Sequence, residues 1–188
     1  MLVHGSRIIG TPVMSLQTGT QLAVLALPLI DPDNLKIVAY EVEGAMLTER
    51  PSFLRIDDIR EFSSPGMIID SSDEFVGKSD VIRIKQLQEL DFRLIGMAVT
   101  DEAGHRLGKV EDYVLDNSSF IIKQLVVKRG LLKSLGDTSL LIDRTQIVEI
   151  NNRSIIIKSS HKPVLAEEAE TPREFVNPFS APKQIEND

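Results

Sequence analysis

Leu94-Ile95-Gly96-Met97-Ala98-Val99-Thr100-Asp101-Glu102-Ala103-Gly104, continuing through Leu107-Gly108-Lys109-Val110-Glu111-Asp112-Tyr113-Val114-Leu115-Asp116, reads as a strand, a tight turn and a second strand. Asp101 to Gly104 has the composition of a type I turn, with glycine where positive φ is needed. On a two-residue period, Leu107, Lys109, Glu111, Tyr113 and Leu115 share one face, and Gly108, Val110, Asp112 and Val114 the other. Neither face is purely apolar. A strand of this kind is expected to bend or bulge at Gly108 and to change the side it buries. Asp116-Asn117-Ser118-Ser119 is then a turn cluster, and Phe120 to Val127, rich in β-branched residues, is a third strand.

The same succession stands earlier in the chain. Ile9-Gly10-Thr11-Pro12-Val13 and Thr18-Gly19-Thr20-Gln21-Leu22 return as Ile95-Gly96-Met97-Ala98-Val99 and Ala103-Gly104-His105-Arg106-Leu107. Ile30-Asp31 answers Leu115-Asp116, and Ile37, Tyr40 and Val42 answer Ile122, Leu125 and Val127. Leu54 to Ile59 is similar to Leu141 to Ile147, and Met67-Ile68-Ile69 to Ile155-Ile156-Ile157. Matches preserved in order over this length predict a tandem duplication. Strand, turn and strand at short spacing predict an all-β protein of two tandem small antiparallel β-barrels. The one competing helix, Lys85 to Leu90, is too short to stand alone. The expected organisation is a first barrel over 1–76, a connector over 77–90, a second barrel over 91–162 and an acidic tail over 163–188. Pro163, Pro172, Pro178 and Pro182 sit among Glu167, Glu168, Glu170 and Glu174 in that tail, which predicts disorder there.

The opening pattern of the second copy, a strand, a D-x-x-G turn, then Gly108-Lys109-Val110 and a strand ending in Asp116, resembles the PRC-barrel family. That small β-barrel occurs in the photosynthetic reaction centre H subunit and at the C-terminus of the bacterial ribosome maturation factor. The first copy departs from it: Thr18-Gly19 lacks the turn aspartate, and Ala23-Val24-Leu25 stands where Gly108-Lys109-Val110 does. The resemblance implies a fold far more than an activity. Through the maturation factor it also raises the alternative of a role in ribosome or RNA maturation by contact with ribosomal protein, although that factor's different N-terminal domain has no counterpart here.

Composition narrows the function classes. The chain of 188 residues has no cysteine, which removes disulfides, thiol nucleophiles and cysteine zinc sites together and points to a reducing compartment. Its longest nearly uninterrupted apolar run, Leu22 to Ile30, is far short of the ~20 residues of a membrane-spanning helix. No secretory leader opens the sequence, so a cytoplasmic location without membrane insertion is expected. His4, His105 and His161 lie far apart and lack metal-ligand spacing. There is no G-x-S-x-G elbow; Ser63-Ser64-Pro65-Gly66 reads as a turn, as does Asp31-Pro32-Asp33-Asn34, which lacks the glycine and glutamate of a calcium loop. The dinucleotide and phosphate glycine patterns are absent too. The expectation is a non-enzymatic protein with no cofactor and no metal.

Charge is distributed unevenly. The net −7 resolves into −5 over 1–78, +2 over 79–162 and −4 over 163–188. Residues 117–136 hold no acid at all, and within them Lys128, Arg129, Leu131, Leu132, Lys133 and Leu135 combine cations with leucines. Leucines on a loop must cover their own barrel or meet a partner. These six are therefore the candidate protein-binding residues, for another protein or for the acidic tail; homo-oligomers are also compatible. Direct nucleic-acid contact is disfavoured, because no stacking aromatics accompany the cations. Phe175-Val176-Asn177-Pro178-Phe179 places two further aromatic anchors in the tail.

Overall fold

The computed structural model describes residues 1–45, 47–63, 66–129, 139–151 and 153–159. Among these residues the chain forms fourteen strands and one α-helix. Strand β1 (Leu2–His4) and a 3-10 turn (Gly5–Arg7) lead into β2 (Pro12–Ser15), β3 (Gln21–Asp31), β4 (Lys36–Glu43), β5 (Ser52–Arg55), β6 (Glu61–Ser63), β7 (Gly66–Ile69) and β8 (Phe75–Gly77). After helix α1 (Ile82–Leu90) come β9 (Ala98–Asp101), β10 (Arg106–Asp116), β11 (Ile121–Lys128), β12 (Ser139–Asp143), β13 (Ile147–Ile150) and β14 (Ser154–Ile157). The all-β expectation holds.

Two sets of strands make the same pairings. β3 pairs antiparallel with β2 and β4, and β4 with β5; β10 pairs antiparallel with β9 and β11, and β11 with β12. Each set ends in a hairpin, β6–β7 or β13–β14. The second strand of each hairpin lies parallel to the first strand of its set, β7 along β2 and β14 along β9. The sheet is thus mixed, where the sequence predicted antiparallel pairing throughout. The cause is the 3-10 turn after β5 and after β12, which leads each hairpin round to the far side of its set. The strands form one sheet whose order runs open from β13 to β6.

Bulges explain the faces of the long strands. β10 slips register against β9 between Arg106 and Gly108, and against β11 between Val110 and Asp112. Gly108 and Val110 point inward before the second slip, and Tyr113 and Leu115 after it. The predicted change of face is real, and it is the bulge at Glu111 that produces it. A Cβ on Gly108 would lie 2.2 Å from the Lys128 carbonyl oxygen. At the corresponding place in the first set the glycine is on the other strand: Gly44 faces Ala23, and a Cβ there would lie 2.7 Å from the Leu22 carbonyl oxygen. The alanine that departs from the second copy's pattern is accommodated by its neighbour.

The sets meet where β4 begins and β11 begins. The Ile37 N–H donates to the Phe120 carbonyl and the Ile122 N–H to the Leu35 carbonyl, both at 2.9 Å. Leu35 and Phe120 hold matching left-handed conformations, φ 49° and 54°. One apolar cluster runs across this junction, from Val13, Leu25 and Ile37 to Val99, Leu115 and Ile122. Each set also receives the segment that precedes the other. β1 pairs with β10, while α1 packs on β3 with Ile84 and Leu87 buried. The nine-residue helix is held by that packing and by the ion pair of Arg83 with Asp31, as its length requires.

Candidate functional site

The candidate cations lie at one end of the second set. Lys128 closes β11, facing Lys109 of β10 and Ser139 of β12. Its ammonium donates to Glu111 at 3.3 Å, across exposed surface, and Arg129 follows it into solvent. Leu131, Leu132, Lys133 and Leu135 lie outside the described residues, as do the tail and its Phe175 to Phe179. Beside the cations, β12 exposes Leu141 to 57%. The end of the β11–β12 ribbon therefore presents positive charge next to an uncovered leucine, a pairing that suits a protein surface.

Most polar residues that could carry chemistry are bound into turns. Asp101 accepts the His105 N–H at 2.8 Å and the His105 imidazole at 2.9 Å, and its backbone carbonyl accepts the Gly104 N–H, forming the expected turn. These bonds, the His105 side chain first, hold the Asp101 carboxyl below the usual range. Asp116 accepts the Ser118 N–H and the Ser118 and Ser119 hydroxyls, and is pushed down to about 2, chiefly by the Ser118 N–H. The Asp31 carboxylate accepts from the Asp33 N–H and the Asn34 amide, so Asp31 to Asn34 is a turn as read from the sequence. Asp143 is lowered by the Thr145 N–H, then by its hydroxyl and the nearby Arg144 and Lys123.

One constellation had no signal in the sequence, because Asp112 lies over a hundred residues from His4 and Ser6. The Asp112 carboxylate binds the His4 Nδ1 at 3.1 Å and accepts from the Ser6 hydroxyl at 2.7 Å, the Ser6 N–H and the Tyr113 N–H. The residue types are those of a hydrolytic triad, but the Ser6 hydroxyl donates its hydrogen bond to the carboxylate. Among the described residues no imidazole accepts from the Ser6 hydroxyl, so the three side chains do not form the serine-to-histidine hydrogen bond of that triad. What the cluster does is fasten the N-terminal segment to β10. Beneath it, Gly5 lies flat on the buried Tyr113 ring.

Two grooves open where the sets meet. The larger, of about 610 Å³, lies between the β3–β4 turn at Asp33 and Asn34, the connector at Phe92 and Arg93, and Arg144 and Asn151 of the second set. The smaller, of about 340 Å³, lies between α1 and β3, walled by Leu27, Leu29, Phe53, Leu87 and Phe92. Both mix acids, amides and apolar walls. Among the described residues, no three histidine or carboxylate side chains gather as a metal ion would need. No helix among them is long and apolar enough to cross a membrane.

The second set lies within a stretch that matches a family model. Residues 87–162 match the family model described as PRC-barrel domain. No curated protein matches the chain.

Proposed function

From the premise that residues 87–162 are a PRC-barrel domain, we propose that this chain is a non-enzymatic cytoplasmic adaptor. In this reading two PRC-barrel-like modules, one per strand set, present their loops and edges to another protein. The contact surface comprises Lys128 and Arg129, at the end of the β11–β12 ribbon, and Leu131, Leu132, Lys133 and Leu135, which follow them in the sequence. The observation that carries the reading is the exposure of Lys128 and Arg129 at the mouth of a stretch without a single acid. Engagement of the carboxylates of Asp101, Asp112 and Asp116 in turns and in the N-terminal clamp agrees with a structural duty for them.

The test is affinity capture from native cytoplasm with three baits: the natural chain, the Lys128→Glu and Arg129→Glu double variant, and the Leu131, Leu132, Leu135→Ser triple variant. Partners captured by the natural chain should be lost from both variants. Retention of every partner by both refutes the surface. Co-sedimentation with ribosomal subunits that weakens steeply with salt would instead favour a ribosomal role through phosphate contacts.

A further inference from the structure

The two strand sets differ at one matched place. In the first, β5 lies between β4 and β8, with Ser52, Phe53 and Leu54 facing Gly77, Val76 and Phe75. Phe53 is 1% exposed there, and Val76 is among the side chains that cover it. In the second, β12 pairs with β11, and among the described residues no strand lies on its other edge. Register fixes the correspondence. Leu54 faces Tyr40 as Ile142 faces Leu125, so Phe53 matches Leu141. The matched residues are 1% and 57% exposed.

The chain itself holds a segment in the right place to cover that edge. Ile69 faces Ser15 at the end of β7, and Ile157 faces Asp101 at the end of β14. Val76, which faces Phe53, stands as far beyond Ile69 as Val164 stands beyond Ile157. The same count places Pro163 and Leu165 where Phe75 and Gly77 are. We infer that Pro163-Val164-Leu165 adds to the open edge of β12 as an antiparallel strand, setting Val164 against Leu141.

Three features of the residues agree. Proline is tolerated as the first residue of an edge strand, which is where Pro163 falls. Run antiparallel to β12 in this register, Pro163 to Ala166 face Ile142 to Ser139, so the residues set against the edge are all apolar and the glutamates begin only past its end. Pro172 then stands where the first set has Ile84, inside α1, so the strand of the first set is repeated without its helix. Gln124 replaces Ala39 on the face that α1 covers, which leaves less apolar surface there for a helix to bury.

The chain has no cysteine, so a pair of introduced thiols reports on this contact alone. Facing residues of antiparallel strands have Cα atoms about 4.5–5.5 Å apart, inside the span of a disulfide. In the full chain, the pair Leu141→Cys with Val164→Cys should close an intramolecular disulfide under mild oxidant at least tenfold faster than Leu141→Cys with Ala169→Cys. Equal rates for the two pairs overturn the inference. Disulfide-linked dimers as the main product also overturn it, and assign the edge to a second copy. In the cysteine-free chain, Val164→Asp should raise amide exchange in the peptide spanning Leu140–Ile142, while unchanged exchange counts against the strand. None of these readouts involves a partner: their failure leaves the adaptor reading standing, and their success covers Leu141 and leaves that reading to Lys128, Arg129 and the residues that follow them.

Discussion

Gly5→Ala should destabilise the protein through one ring. A methyl at position 5 would lie 2.3 Å from Tyr113 Cζ, 2.4 Å from Cε2 and 2.8 Å from Cε1. Carbon atoms in van der Waals contact sit about 3.5–4.0 Å apart, so the ring or the N-terminal segment must withdraw by more than 1 Å. The ring has little room, because Tyr113 is buried in the shared core. The segment is held in turn by the Asp112 clamp and by β1 on β10. Overpacking of this kind costs about 1–3 kcal/mol, or roughly 2–12 °C in Tm for a chain of this length. Urea unfolding measures the cost, and amide exchange at Leu2–His4 shows whether the segment has lifted. Adding Tyr113→Leu should recover about 1 kcal/mol or more of the alanine's cost in a double-mutant cycle. A Gly5→Ala protein within about 0.5 kcal/mol of the natural chain, with unchanged exchange at Leu2–His4, would refute the contact.

Two further outcomes follow from the same geometry. Gly108→Ala drives its methyl against a backbone carbonyl and should lower stability by about 1–3 kcal/mol; Gly44→Ala, whose clash is milder, should cost less, both read as urea midpoints. Acid should also weaken the fold. Asp101, Asp116 and Asp143 are held below their ordinary values. Each therefore contributes stability above the unfolded value near 3.9, which is lost as pH falls through the folded one. Thermal midpoints should drop between about pH 5 and pH 2, and Asp116→Asn should flatten that slope.

Much of the local structure was legible. The Asp101–Gly104 turn, the turn closed by Asp116 and the change of face along β10 all follow from residues within a few positions of one another. What escaped reading depends on partners far along the chain. Nothing local to Asp112 indicates that it binds His4 and Ser6, and nothing in Leu2–His4 names β10 as its neighbour. The short helix is hard to read from sequence for the same reason: its stability comes from Ile84 and Leu87 against β3, which propensity does not contain. Of the six candidate binding residues, Lys128 and Arg129 are placed by the β11–β12 ribbon, while Leu131, Leu132, Lys133 and Leu135 lie outside the described residues.

The reciprocal hydrogen bonds between Ile37 and Phe120 and between Leu35 and Ile122 join two similar strand sets much as an isologous contact joins identical subunits. In an assembly of identical subunits every substitution appears twice, once on each side of the axis. Here both sides belong to one polypeptide, so each can vary alone. That is why a chain that is acidic before residue 79 can carry a slightly basic stretch over 79–162, and why Phe53 on one side can be answered by Leu141 on the other. Covalent linkage gives this near-symmetric scaffold two different surfaces to offer.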